Sequence, residues 1–235
     1  MNTESHIDCK QCKNRYKSIF CDLKEEEVDV LSLGKACKTY KKGEEIFTQG
    51  TPPKGIFIIN AGKVKISRLA DSGNEQIVKM VNSGEILGYR ALLSNEMYSS
   101  SAVALEVTSI CFLPRHLFFR FIEQNATLAG ALLKIAASDL KHTERKLVDL
   151  SQKTARERIA EALLYLKEIY GYEQDQTTIN VILTRGDIAN IAGTTRETSI
   201  RVLAGLKKDK IIDFSGKSIK VKDFPGLVSL ANISD

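Results

Sequence analysis

The sequence predicts an α+β chain in three parts: a β-rich roll, a long helix, and a helical C-terminal domain ending in a small hairpin. Three observations predict it. Short β-branched runs broken by glycines fill about 41–113, a heptad seam runs through about 133–150, and a glycine-broken helix pair lies within 184–206. At 235 residues the chain is long enough for two modest domains. Its 43% hydrophobic content supports proper cores.

The β-rich part reads "EEIFTQG", "GIFIINAGKVKISRL" and "EQIVKMV". Gly43, Gly50, Gly62, Gly73 and Gly84 fall between or beside these runs at spacings of 7 to 12, which suggests an all-β roll or barrel rather than βαβ units. No glycine-rich phosphate loop of the Walker or dinucleotide type occurs.

After Gly130 no Gly or Pro interrupts the chain as far as Thr154, and Leu133, Ala136, Leu140, Thr143, Leu147 and Leu150 recur at gaps of 3 and 4. A strict a/d stripe is narrower than the face a globular core takes, so the spacing predicts one long helix zipped to a second copy in parallel. Packing on the helix's own domain is the plainer alternative.

"TARERIAEALLYLKEIYG" then reads as an amphipathic helix closed by Gly171. Downstream, Thr184 can cap a short helix carrying Ile188, Ile191 and Ala192. Gly193 supplies a turn, and a second helix starts at Thr194 or Thr195 with Val202, Leu203 and Leu206 facing inward. Helix, glycine-bearing turn and helix make a helix-turn-helix. "IIDFSGKSIKV" alternates as a hairpin around Ser215-Gly216-Lys217, a basic wing.

Arg196, Glu197 and Arg201 can share the outward face of the second helix. Arginine suits the O6 and N7 of guanine, and glutamate can accept from the N4 amine of cytosine. Thr184, Arg185, Thr194, Thr195 and Lys217 are candidates for holding phosphates. The segment 153–222 carries 13 Lys and Arg against 9 Asp and Glu, so it holds +4 of the total +5. The basic balance therefore lies where DNA would bind.

With these motifs in order, the chain resembles the cAMP receptor protein/FNR (CRP/FNR) superfamily of transcription regulators. "KKGEEIFTQG", "NAGKVKI", "SGEILGYRALL" and "SSSAVALE", then a dimer helix and "LTRGDIANIAGTTRETSIRVL", carry the resemblance from about Leu23 to Lys222. It implies a Cys-containing N-terminal segment (1–22), a cyclic-nucleotide-binding-like β-roll or double-stranded jelly roll as sensor (23–125), a dimerisation helix (126–152) and a winged helix-turn-helix (153–235). It implies a homodimer on a pseudo-palindromic element of double-stranded DNA, with RNA polymerase as a partner. Arg196, Glu197 and Arg201 match the base-contacting positions of cAMP receptor protein, which implies a TGTGA-like half-site. Ser199 and Ile200 depart from the family's apolar residue followed by glycine.

The resemblance also points to an effector pocket at Gly88, Tyr89, Arg90, Ser99, Ser100, Ser101 and Thr143. Where cAMP-binding relatives place a glycine-glutamate pair and an arginine-serine pair, this chain has Gly88-Tyr89-Arg90 and Tyr98-Ser99-Ser100-Ser101-Ala102. Serines cannot replace an arginine's fixed charge and bidentate fork, so cyclic AMP is disfavoured and another small ligand stays open.

FNR-type oxygen sensors bind an iron–sulfur cluster through N-terminal cysteines and one cysteine in the roll. Cys9, Cys12, Cys21 and Cys111 are the corresponding candidates here, for a [4Fe–4S] cluster or for zinc. The family's third cysteine falls on Ser18, and a lone C-x-x-C does not specify a site. Otherwise Cys9 and Cys12 form a mobile reduced pair, and Cys21 and Cys111 pack apolar surface. Cys37, in strand-like surroundings, reads as a core residue.

No apolar run is long enough to span a membrane and no signal peptide is evident, so a cytoplasmic location is expected. His6, His116 and His142 fall in no metalloenzyme motif and no nucleophile–base arrangement is legible, so no enzyme is expected. The alternative is a nucleotide-binding-like regulatory module acting on a protein partner.

Overall fold

The computed structural model describes residues 8–232, so His6 lies outside them. The chain forms two compact units. One holds residues up to Leu69 with Lys79–His142, the other Ala70–Val78 with residues from Thr143 onward.

A 3-10 turn, Arg15–Lys17, and helix α1 (Glu25–Gly34) precede the strands. These are β1 (Ala36–Tyr40), β2 (Glu45–Phe47), β3 (Gly55–Ala61), β4 (Val64–Leu69), β5 (Glu75–Val81), β6 (Ile86–Leu87), β7 (Ser101–Ala104) and β8 (Thr108–Pro114), with α2 (Tyr89–Ser94) between β6 and β7. They form two four-stranded sheets, ordered β1-β8-β3-β6 and β2-β7-β4-β5. Strands β3 and β8 are antiparallel from Gly55↔Pro114 to Ala61↔Ser109, and β1 pairs with the other edge of β8.

Alternation along the strands fills the roll with Tyr40, Ile46, Ile59, Val64, Leu87 and Ile110. A second cluster lies under the helices and includes Phe20, Leu31, Leu113, Phe118, Phe121 and Leu128. The N-terminal segment belongs to that cluster, since Cys9 and Phe20 are both buried in it. The mobile reading of Cys9 and Cys12 is therefore corrected. Arg15 fastens the segment by donating from Nε to the Cys9 carbonyl (3.2 Å) and from Nη1 to the carbonyls of Phe20 (3.2 Å) and Cys21 (3.1 Å).

Two helices follow the roll, α3 (Arg115–Gln124) and α4 (Ala126–Gln152). Leu128 and Leu132 bury one stripe of α4 in the outer core cluster, and Ala136 is packed partly against it. Leu133, Leu140, Leu147 and Leu150 are exposed in the single chain, with Leu133 at 71%. A long helix thus carries an uncovered row of leucines at heptad spacing.

The C-terminal elements are α5 (Ala155–Tyr170), α6 (Arg185–Ala192), α7 (Arg196–Lys208), β9 (Ile212–Ser215), β10 (Ser218–Val221) and α8 (Phe224–Ala231). Capping boxes start α5 at Thr154 with Glu157 and α6 at Thr184 with Asp187. Gly193 ends α6 at φ +61°, a left-handed position where a Cβ would also strike the Leu150 side chain. Helix α8, which the sequence did not signal, starts on the Asp223 carboxylate, which accepts from the Gly226 N–H.

Candidate nucleic-acid interface and effector pocket

Helix α7 is oriented by its own sequence. Thr195 caps it by accepting from the Thr198 N–H at 3.2 Å, and Leu203 and Leu206 bury its inner face. At about 100° per residue, Arg196, Glu197, Ile200, Arg201 and Ala204 fall within roughly 140° of arc. All five are exposed. Among the described residues no ion pair or side-chain hydrogen bond engages Arg196, Glu197 or Arg201, so their donors and acceptors face water.

The departure at Ser199-Ile200 has a clear structural outcome. Ser199 points inward, fully buried, and its hydroxyl has no hydrogen-bond partner among the described residues. Ile200 points outward, 47% exposed, between the two arginines. Sequence reasoning did not select Ile200 as a functional residue. The signal that could have found it is its place three residues after Glu197 on the outward arc.

The turn before α7 is held from α5. Arg158 donates from Nε to the Ala192 carbonyl (2.8 Å) and from Nη2 to the Gly193 carbonyl (3.2 Å), satisfying acceptors left open where α6 ends. Arg156 pairs with Asp209 at 2.6 Å. These contacts fix the angle between the two helices with side chains that cannot lose their charge.

The phosphate candidates divide into two groups. Thr184 and Thr195 serve as caps. Lys217 stands exposed in the turn between β9 and β10. The Arg185 guanidinium lies over the Phe214 ring of the wing at 3.9 Å, with its Nη1 buried and without a partner among the described residues. Thr194 is half-buried, its N–H donating to the Ala189 carbonyl at 3.0 Å.

The roll's candidate pocket is a different kind of surface. Tyr98 stacks on Phe47 with ring centroids 4.1 Å apart, Phe47 meets Phe57 at 5.6 Å, and Phe57 meets Phe112 at 5.1 Å. Gly88, at φ +80°, lies against the Tyr98 ring, where even a Cβ would come within 3.2 Å of it. Burial pushes the Tyr98 hydroxyl up to about 12. Aromatic side chains therefore occupy the space beside Gly88.

Tyr89 is a core residue rather than a pocket residue. It belongs to the cluster under the helices, and its hydroxyl donates to Asp139 on α4 at 2.6 Å. Asp139 also pairs with Lys79 at 2.7 Å. Burial, with the bond to Asp139, pushes the phenol well above its ordinary value. Arg90 and Ser99 are exposed, Ser100 and Ser101 half-buried, and the Ser101 hydroxyl accepts from the Gln49 N–H at 2.9 Å. Thr143 lies exposed one turn beyond Asp139 on α4. Among the described residues no arginine hydrogen-bonds to Ser99, Ser100 or Ser101.

The cysteines separate into those that converge and one that does not. Cys9, Cys12 and Cys111 line a cavity of ≈ 30 Å³ together with Arg15, Lys35 and Asn60. Cys37, in β1, faces Cys111 directly across the β1–β8 ladder. Cys21 does not line the cavity. A turn at Arg15–Lys17 lies between Cys12 and Cys21, and Ser18, at the family's third cysteine position, donates its hydroxyl to the Arg15 carbonyl at 2.7 Å.

A [4Fe–4S] cluster needs four thiolates spread around it. Here Cys37 and Cys111 touch each other and Cys21 stands apart. Among the described residues no group of three or more His, Cys, Asp or Glu side chains is placed to hold a metal ion. The set Cys9, Cys12, Cys21 and Cys111 does not fit the cluster or a zinc ion as arranged.

Among known proteins, a cyclic nucleotide-binding domain model matches residues 37–125 and a Crp-like helix-turn-helix domain model matches residues 157–230. The transcriptional activator protein Anr of Pseudomonas aeruginosa is 30% identical over 227 residues, covering 95% of this chain and 92% of Anr. The fumarate and nitrate reduction regulatory protein of Vibrio cholerae is 28% identical over 230 residues, covering 97% of this chain and 92% of its own. The solved structure of FixK2 from Bradyrhizobium japonicum superposes with a TM-score of 0.76 at 26% identity, covering 86% of this chain and 99% of FixK2.

Proposed function

Because the chain belongs to the CRP/FNR family of DNA-binding transcription regulators, we propose that it acts as a homodimer on a pseudo-palindromic promoter element with TGTGA-like half-sites. The observation that carries this reading is the face of α7, where Arg196, Glu197 and Arg201 stand exposed around Ile200 while the rest of the helix is capped and packed.

In the major groove each arginine can donate two hydrogen bonds to guanine O6 and N7, and Glu197 can accept from a cytosine amine. Ile200 supplies an apolar surface for a thymine methyl group. Arg185, stacked on Phe214 of the wing, brings a fixed positive charge that attracts the phosphate backbone. Thr184, Thr194, Thr195 and Lys217 line the approach to the backbone, fixing register without reading bases.

The leucine seam of α4 supports the dimer, since Leu133, Leu140, Leu147 and Leu150 would otherwise stay in water. Two recognition helices would then address half-sites about one helical turn apart. On this reading 1–22 is a Cys-containing segment, 23–125 the sensor, 126–152 the dimer helix and 153–235 the reader. The sensor answers to an effector other than cyclic AMP, and the bound dimer meets RNA polymerase in the cytoplasm. The family are regulators rather than enzymes. Among the described residues no helix is long and apolar enough to cross a membrane.

The test is a gel shift on a symmetric TGTGA-containing duplex across a salt series. Arg201→Ala is expected to cost about 1–3 kcal/mol on that duplex and little on unrelated DNA. An equal loss on all sequences would remove base reading by Arg201. No salt-dependent shift at all would favour the protein-partner module instead.

A further inference from the structure

Sequence reasoning placed Cys37 as a core residue, and the structure gives it a partner. Residues paired across an antiparallel ladder have Cα atoms about 4.5–5.5 Å apart, inside the roughly 4.4–6.8 Å a disulfide spans. The Cys37 and Cys111 sulfurs are in direct contact, 3.0 Å apart. Both residues are 6% exposed. The Lys35 ammonium donates to the Cys37 sulfur at 3.1 Å.

This set of groups divides the roles of the two thiols. An ammonium against Cys37 favours its thiolate, the form that acts as nucleophile. Either sulfur can be the donor in the contact between them, so the geometry joins the two thiols without assigning the shared proton. Cys111 and Lys35 line the ≈ 30 Å³ cavity together with Cys9 and Cys12, and Cys37 meets it only through its contacts with Cys111 and Lys35. One water needs about 10–15 Å³ by the same measure, so a molecule of two heavy atoms fits and a nucleotide does not.

We propose that Cys37 and Cys111 are a two-electron redox pair in the sensor roll, closed to an interstrand disulfide by a small hydroperoxide. The Cys37 thiolate attacks one peroxide oxygen and the O–O bond breaks. That leaves a sulfenic acid on Cys37, and the departing oxygen takes a proton and leaves as water. The Cys111 sulfur then attacks the Cys37 sulfur, the S–O bond breaks, and the hydroxyl leaves as a second water with the Cys111 proton. Two thiols and one hydrogen peroxide become one disulfide and two waters. The proposal rests on the reading of the roll as the sensing half and names the chemistry of its effector.

The experiment uses the full chain, reduced and freed of reductant without air, then treated with one equivalent of hydrogen peroxide. Mass spectrometry of unreduced peptides is expected to show the loss of two hydrogens and a link between the peptides holding Cys37 and Cys111. Lys35→Met should slow the closure about tenfold, because less of Cys37 is thiolate. Cys37→Ser should abolish the link while circular dichroism confirms the fold. Cys37 and Cys111 staying reduced while Cys9, Cys12 or Cys21 oxidises would overturn the proposal, as would a link between any other pair. DNA affinity of the reduced chain is read separately. Its failure would strike the operator reading and leave the disulfide result standing.

Discussion

The outward face of α7 and the space beside Gly88 are both candidate binding surfaces, yet the chain treats them in opposite ways. On α7 two arginines, a glutamate and an isoleucine are left exposed, with Arg196, Glu197 and Arg201 unengaged by other described side chains. Beside Gly88 the Phe47, Tyr98, Phe57 and Phe112 rings pack against one another. A surface that meets an outside partner keeps its hydrogen-bonding capacity unspent, because satisfying it internally would remove the readout. A space filled by aromatic rings gains burial and stacking within the chain itself, and a polar ligand entering it would have to displace them. The proposed reading face is thus left open to a partner, while the space beside Gly88 is filled by the chain's own rings.

The most severe way to break the contrast is to remove the seam that would present two α7 faces at once. Leu140→Glu with Leu147→Glu is expected to give a monomer by sedimentation and to weaken binding to a symmetric site by about 10²–10⁴-fold, as the second half-site contact is lost. A dimer that survives both charges would show that the seam is not the interface.

Next in size is an acid-side effect in the winged domain. The Thr178 hydroxyl, then the Thr178 and Thr177 N–H groups, hold the Asp175 carboxyl well below the usual carboxylate range. A carboxylate with a depressed folded pKa stabilises the fold above its unfolded pKa, and that stability is lost as pH falls through the folded value. Asp175→Asn should therefore lower stability near neutrality and flatten its fall in acid, measured as urea midpoints against pH. In the roll, burial pushes Glu85 upward instead, so Glu85→Gln should not reproduce that loss. Matching acid profiles for the two variants would contradict this difference.

The smallest effect is an expected absence of response. A ligand at 100 times its Kd would add about 2.7 kcal/mol of stability. Cyclic AMP is expected to leave the melting temperature unmoved, because the Tyr98 ring stands beside Gly88 and serines stand where an arginine would hold the cyclic phosphate. A clear upward shift would return the roll to nucleotide sensing.

Legibility in the sequence followed the range of the interactions involved. Thr154, Thr184, Gly171 and Gly193 act within a few residues of where they stand, so the caps and turn of the helix-turn-helix could be read directly. The leucine spacing of α4 was legible for the same reason. The fastening of the N-terminal segment by Arg15 depends on carbonyls presented by a folded loop, which no spacing signals. Cys37 and Cys111 are 74 residues apart, and only the register of β1 on β8 brings them together. Ser199 and Ile200 were noticed as a departure, but the packing of α7 decides which of them faces outward.

The central claim is that α7 reads base pairs as one half of a symmetric pair, and selection of bound duplexes from a random DNA pool tests it most directly. The account predicts enrichment of an inverted pair of TGTGA-like half-sites, with guanine preference relaxed at one position per half-site in Arg201→Ala. Enrichment of no sequence, or of a single unrepeated motif, would contradict it.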